Sequence, residues 1–266
     1  MIPLRVSVLV PSLNGSRFLE EAIRSALSQT HAPDEILVQD GGSTDGSLEM
    51  LGRFGPPVTW ISEPDRGQSD ALNRALRRAT GDVVGWLNAD DLYAPTAIET
   101  AVRILQEKPE TELVIGDFDL IDEHGAVSRH FRSAPFDRAR VRSRGAYLWS
   151  GATFMRRSLL ERVGDFDENL HYCMDLDYWL RLPSDVRSEY FPGVFGQLRN
   201  HAAAKSSRAR VGFLKEGLKV NLQHSRGDPL ETARVLARTA IGAVVLATAP
   251  IRYSDLYSKL RGRTRL

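Results

Sequence analysis

The tetrapeptide Asn88-Ala89-Asp90-Asp91 directly follows the apolar run GDVVGWL at residues 81–87. A run of that length and character reads as a buried strand, so the two carboxylates stand where the strand leaves the sheet. Adjacent carboxylates repel unless a cation sits between them. Oxygen ligands select hard ions such as Mg2+ or Mn2+, and Mg2+ is commonly shared with substrate phosphates. The chemistry first suggested is a metal–diphosphate site. A plainer reading stays open on these residues alone, in which Asp90 or Asp91 caps a helix starting near Pro95.

Three further strand ends carry polar, loop-forming residues. They are Pro11-Ser12-Leu13-Asn14-Gly15, the stretch from Asp40 through Gly41, Gly42 and Ser43 to Gly46, and Ser62-Glu63-Pro64-Asp65-Arg66-Gly67. Any one of them could be turn chemistry. Four polar strand ends around one mouth describe a ligand site, because open α/β sheets bind at the carboxyl ends of their strands. GxxxxGK[ST], a GxGxxG after the first strand, HExxH and CxxC are all absent. A phosphate site without those motifs needs a metal.

The elements that must position these residues alternate. Strand signals fall at 4–10, 35–40, 58–61 and 82–87. Helix signals run from Ser16, read as an N-cap, to Gln29, from Asp45 or Gly46 onward, and over 67–80 and 95–106. Strand–helix alternation implies crossover connections and a mostly parallel sheet flanked by helices, an α/β fold. The second half reads as a strand at 112–121 pairing with 126–131, a loop over 133–147 and a strand at 150–157. Then come a helix at 158–164 closed by Gly164, a helix at 175–182, a last strand at 194–200, and helices only from Arg210.

Composition bounds the class. With 42% hydrophobic and 26% charged residues, 266 residues can bury a sizeable core. One cysteine, Cys173, rules out an intramolecular disulfide and a cysteine zinc cluster and fits a reducing compartment. The N-terminal apolar stretch is strand-sized and broken by Pro11, unlike a signal peptide. The longest uncharged stretch, Thr239 to Ile251, is 13 residues, short of the roughly 20 that span a bilayer. The net charge of +1 conceals an asymmetry: residues 205–266 hold 13 Lys/Arg against 4 Asp/Glu, and the rest of the chain is acidic. A basic tail on an acidic body suggests an anionic partner for the tail.

Taken together, VLVPSLNGSRFLEEAIRSALSQT (8–30), VQDGGSTDGS (38–47), SEPDRGQSDALNRAL (62–76), WLNADDLY (86–93) and HYCMDLDYWLRL (171–182) resemble a family 2 glycosyltransferase of the GT-A fold over roughly residues 4–207. The resemblance implies a nucleoside-diphosphate sugar donor, with a UDP-sugar favoured, and a divalent metal cofactor, Mn2+ or Mg2+. It places Pro11, Ser12, Asn14 and Asp40 at the nucleotide, with a turn-forming role the alternative for Asp40. Asp65 and Arg66 match the loop near the diphosphate, with a surface ion pair the alternative. Gln68, Asp70 and Asn73 lie on the next helix, where Asp70 could face the sugar or favour the helix N-terminus.

The family's DxD-type motif falls on Asn88-Ala89-Asp90, which makes Asp90 the metal ligand. Asn88, where Asp is usual, can accept a hydrogen bond from a ribose hydroxyl but brings no charge. Asp91 becomes a cap or a supporting group. Asp175 matches the general base. Asp177, two residues on, points about 200° away on a helix, so only one of the two faces the site. Trp149 is expected along the acceptor cleft. RNHAAAKSS (199–207) resembles a stretch where relatives carry a His, so His201 is expected to complete the metal shell.

The implied reaction is inverting glycosyl transfer to an acceptor hydroxyl in cell-surface polysaccharide or glycolipid synthesis. A metal-dependent sugar nucleotidyltransferase and a catalytically silent sugar-nucleotide binding module are the alternatives. The expected organisation is a catalytic domain over 1–207 and a basic helical extension over 208–266. That extension is expected to lie on an anionic membrane, to pack on the body as a lid, or to form a homodimer surface. The expected location is cytoplasmic or at the inner membrane face, with a carbohydrate or lipid-linked acceptor and no nucleic acid.

Overall fold

A computed structural model describes residues 3–144, 147–205 and 209–248. The first half follows the expected alternation: β1 (Val6–Ser12), α1 (Leu19–Leu27), β2 (Glu35–Asp40), α2 (Ser47–Leu51), β3 (Val58–Ser62), α3 (Gln68–Arg78) and β4 (Val83–Trp86). A two-residue strand β5 (Leu92–Tyr93) and α4 (Ala97–Glu107) follow. The second half holds β6 (Leu113–Ile121), β7 (Val127–Phe131), α5 (Arg138–Arg144), a 3-10 turn (Ser150–Ala152), β8 (Thr153–Arg156) and α6 (Arg157–Val163). It continues with α7 (Met174–Arg181), β9 (Ser188–Arg199), α8 (Arg210–His224) and α9 (Pro229–Thr248).

The sheet order is β3-β2-β1-β4-β8-β6-β9-β5, with β7 on β6. The first four strands are mutually parallel, and the remainder is mixed. Register explains the common mouth. Ser12 pairs with Asp40 and Asp40 with Ser62, while the Leu87 N–H donates to Leu9 O at 3.0 Å. The loops after all four parallel strands therefore leave from one edge.

Both faces of β1 are covered. Val6, Val8 and Val10 pack with Ile23 of α1 and Ile98 of α4. Leu9 faces the opposite layer with Leu72 of α3 and Trp179 of α7. Tyr178 and Trp179 are buried, and burying an aromatic of that size stabilises by about 2–3 kcal/mol. They anchor α7, and with it the start of the helix that carries Asp175.

Several boundaries differ from expectation. Ser16 does not cap α1. The backbone turns once at Gly15, whose carbonyl accepts from Phe18 and Leu19, and the Ser16 N–H is tied to Asp45 at 2.9 Å. Neither Asp90 nor Asp91 caps α4, whose N-cap position is Thr96. The expected loop at 133–147 contains α5, where Asp137 accepts from the Ala139 and Arg140 N–H groups. The expected strand at 150–157 starts with the 3-10 turn, and β9 begins at Ser188 rather than 194.

α8 packs on α7, and α9 packs on α8. Among the described residues no helix is long and apolar enough to cross a membrane. Ser206, Ser207, the expected domain boundary at 207/208 and the chain beyond Thr248 lie outside the described residues.

Candidate active site

A cleft of about 570 Å³ opens at the shared strand edge. Pro11 and Ser12 line it from the end of β1 and Asn14 from the loop that follows, with Asp65 and Gln68 from the loop after β3 and the start of α3. Asn88, Asp90 and Asp91 contribute after β4, and Trp149, Asp175 and His201 complete the lining. The fold therefore brings Asp90 and Asp175 into one cavity.

The segment after β4 is held by its own side chains. Asn88 Oδ1 accepts from Gln68 Nε2 and Trp86 Nε1, each at 2.8 Å, and Asn88 Nδ2 donates to Asp91 at 2.8 Å. Both lone pairs of that oxygen are thus engaged within the protein. Asp91 is buried and also accepts from the Arg199 N–H at 2.9 Å. Burial, then the charge of Asp90, pushes its carboxyl well above the usual range. Asp90 keeps its side chain for the cleft, with Oδ2 at 3.0 Å from His201 Nε2.

Asp175 opens α7. Its Oδ1 accepts from the Leu176 N–H at 2.8 Å, and desolvation pushes its carboxyl up to about 6. A carboxylate with that affinity is ionised at neutral pH yet takes a proton more readily than a solvated one, which suits a general base. Lys205 Nζ reaches over the cleft to donate to His171 O at 3.0 Å and Gln68 Oε1 at 3.2 Å. Desolvation lowers its ammonium pKa, and the carboxylates of Glu216, Asp90, Asp65 and Asp175 act in the opposite sense.

On the donor side, the Ser12 hydroxyl is buried with no partner among the described residues. Asn14 sits at φ 51°, its N–H donating to Ser43 and its Oδ1 accepting from the Thr44 N–H. Asp65 accepts from the Gly67 N–H at 2.8 Å, and desolvation raises its carboxyl pKa. A Cβ on Gly41 would stand 2.7 Å from the Asp65 carboxylate, so a larger residue there would push that side chain aside.

Four expected site residues lie away from the cleft lining. Asp40 is fully buried, and its Oδ1 accepts from Gly42 N, Ser43 N and the Ser62 hydroxyl. This is the turn geometry of an Asx residue, shaping the loop rather than reaching the cleft. Arg66 pairs with Asp70 and Glu168 and is largely exposed. Asn73 clamps the loop before α7, bonding both backbone groups of Phe166 and the Glu168 carboxylate. Asp177 is buried against Arg181 at 2.7 Å and His224 at 2.8 Å. Burial raises its carboxyl pKa, but those two partners outweigh it and hold it below the usual range. Asp70 likewise serves its own helix: the Arg74 guanidinium and the Arg66 N–H outweigh desolvation and lower its pKa.

Two residues have roles with no sequence signal. Arg199 is 1% exposed at its side chain and donates to Asp90 O at 3.0 Å, Glu123 O at 3.2 Å and Glu21 Oε2 at 2.7 Å. Its guanidinium also lies 4.6 Å from the Phe18 ring centre. Glu216 accepts backbone N–H bonds from residues just before α7. A lone Arg at a strand end and a lone Glu on a basic helix look like ordinary surface charges. A second cleft of about 640 Å³ lies where α5 meets α9, but arginines line it and no strand end reaches it.

A parallel strand quartet opening onto an acidic cleft, with a mixed second half, is a GT-A-type fold. Residues 7–164, more than half of the chain, match the model of glycosyl transferase family 2. The chain belongs to glycosyltransferase family 2. It is 31% identical over 195 residues to an uncharacterised glycosyltransferase of Rickettsia typhi, covering 70% of this chain and 60% of that relative. It is 28% identical to a chondroitin synthase of Escherichia coli, covering 68% of this chain and 26% of the synthase. The chain thus spans less than two thirds of the first relative and about a quarter of the second. The S. aureus TarS 1–349 structure with UDP-GlcNAc superposes with TM-score 0.67 at 16% identity, over 97% of this chain and 79% of that one. The Pyrobaculum calidifontis mannosyltransferase with GDP-Man and Mn2+ gives 0.61 at 21% identity, over 97% and 80%.

Proposed function

We propose that this protein transfers a sugar from a nucleoside-diphosphate sugar to an acceptor hydroxyl with inversion at the anomeric carbon. The observation that carries the reading is the meeting of Asp90 and Asp175 in one cleft at the strand ends. The nucleotide-sugar complexes of the two structural neighbours support the donor class.

The donor set suits a divalent ion. Asp90 Oδ2 and His201 Nε2, hydrogen-bonded at 3.0 Å, would offer one carboxylate oxygen and one imidazole nitrogen to such an ion. Among the described residues no group of three or more His, Cys, Asp or Glu could hold a metal, so phosphate oxygens and water would supply the remaining positions. Such an ion, Mn2+ or Mg2+, neutralises charge on a departing diphosphate when bound.

The protein's own part is positional and basic. Arg199 and Asp91 fix the backbone that presents Asp90. Ser12, Asn14 and Asp65 face the nucleotide end. The acceptor oxygen bonds to the anomeric carbon as the bond to the diphosphate oxygen breaks, and the hydroxyl proton passes to Asp175. One base and one displacement give inversion without a covalent intermediate. A carbohydrate or lipid-linked acceptor fits a family in which a chondroitin synthase is a relative. The basic C-terminal segment would favour an anionic membrane face.

Thermal shift against UDP- and GDP-sugars with Mn2+ identifies the donor. NMR of the product then reports its anomer. Release of a nucleoside diphosphate with inversion is the expected outcome. Release of pyrophosphate, or retention, overturns the reading.

A further inference from the structure

Cys173, at the N-cap of α7, makes no side-chain capping bond. The backbone N–H groups that lead into the helix are held from α8. Glu216 Oε1 accepts from the His171 N–H at 2.9 Å, and Oε2 accepts from the N–H groups of Tyr172 and of Cys173, the latter at 2.6 Å. Three successive backbone donors thus converge on one carboxylate, two residues before Asp175. Charge-assisted bonds of this kind are about twice as strong as neutral ones.

α8 is tied to the body on both sides of this contact. Gly212 lies so close to Tyr172 that a Cβ there would come within 2.6 Å of its ring. Cys173 Sγ donates to Phe213 O at 3.6 Å. Further on, Val220 is buried in the core, and His224 meets Asp177 at 2.8 Å. Phe213, from the same helix, lines the cleft. Glu216 lies beyond the residues 7–164 that match the family model.

We propose that Glu216 is a positioning residue: its carboxylate, presented by α8, holds the 171–173 backbone and so sets where Asp175 stands in the cleft. This rests on the assignment of Asp175 as the base. α8 is then a working part of the catalytic unit. The contact also places a negative charge near Asp175. The other charged or titratable groups acting on that carboxyl are Lys205 from the segment after β9 and the Cys173 thiol on its own segment. Asp90 and His201 line the same cleft.

The test uses the full chain with Glu216→Gln, which keeps an acceptor but removes the charge, and Glu216→Ala. Hydrogen exchange at the 171–173 amides is expected to quicken at least tenfold in Glu216→Ala and less in Glu216→Gln. The Asp175 carboxyl midpoint, followed by 13C NMR without ligand, is expected to fall below its wild-type value in Glu216→Gln. Nucleotide release from the donor found by the thermal-shift screen is expected to drop at least tenfold in Glu216→Ala, with UDP–Mn2+ affinity within about twofold of wild type. Unchanged amide exchange and an unchanged midpoint overturn the proposal. The Asp175→Asn arm separates this from failure of the base assignment. Near-normal release in Asp175→Asn rejects the base itself, whereas a silent Asp175→Asn beside wild-type Glu216 variants rejects only the positioning role. Glu216→Gln keeps the test readable if Glu216→Ala does not fold.

Discussion

The Asp90 carboxylate stands 3.0 Å from the Nε2 of His201, although 111 positions separate them in the chain. The pairing of β5 with β9 brings the two segments together, and Arg199 locks them by binding Asp90 O. Asp90→Ala is expected to remove the metal-dependent part of UDP binding. His201→Ala should weaken it by at least about tenfold, the lower end of what disturbed metal shells lose. Calorimetry with UDP, with and without Mn2+, checks both. Equal UDP affinity in wild type and Asp90→Ala at saturating Mn2+ would reject the pair as a metal site.

Asp175 carries a cost in the resting protein. Its carboxyl is raised from 3.8 to about 6, so the folded state binds more protons than the unfolded state between those values. Stability from this group is therefore greatest below the unfolded value and is lost as pH rises through about 6. Asp175→Asn should silence turnover yet raise stability at pH 8 by up to about 3 kcal/mol, with the gain shrinking toward pH 4. Wild-type turnover should fall on the acid side with a midpoint near 6. Thermal melts at several pH values and a pH–rate profile check these outcomes. A destabilised Asp175→Asn at pH 8 would contradict the desolvation argument.

Arg199→Ala removes a buried guanidinium that holds Glu21 and the carbonyls of Asp90 and Glu123. Glu21 is largely exposed and can return to water, so the cost is that of leaving the two carbonyls without their donor, about 1–3 kcal/mol each. The variant should unfold at clearly lower denaturant and lose UDP–Mn2+ binding together, because the same contact supports both. Stability within 1 kcal/mol of wild type, on the order of a surface change, would show that this network is dispensable.

Asp40→Ala separates a turn role from a nucleotide contact. Two backbone N–H groups and the hydroxyls of Ser43 and Ser62 lose their acceptor, and each buried donor left unsatisfied costs about 1–3 kcal/mol. A lowered melting temperature is expected, with Asp40→Asn milder because its amide oxygen still accepts. If UDP affinity in Asp40→Asn falls as far as in Asp90→Ala while the melting temperature holds, Asp40 touches the nucleotide.

Much of the fold was legible because its causes are local. Short apolar runs marked β1, β2 and β4, and periodic helices marked α1, α3 and α4. Helical geometry said that only one of Asp175 and Asp177 could face the site, and the family resemblance pointed to Asp175: it lines the cleft, and Asp177 is taken by Arg181 and His224. β5 was missed because two residues carry no periodicity, and Ser16 was misread because the Asp45 contact that displaces it comes from another loop. The roles expected for Asp40, Arg66 and Asn73 came from motif position, which shows that a residue lies near a site without showing where its side chain turns.

By itself the sequence determined which strand ends carry acids and amides, and that these share one edge, because parallel strands joined by crossovers leave in the same direction. Tertiary structure decided which of those groups remain available. Asn88, Asp91 and Asp40 spend their hydrogen-bonding capacity on neighbours, while Asp90 and Asp175 keep oxygens facing the cleft. It also decided that Arg199 and Glu216, remote in the chain, hold the two acids in place. A buried polar group must be satisfied by whatever folding brings beside it, and that partner is not encoded near it in the sequence.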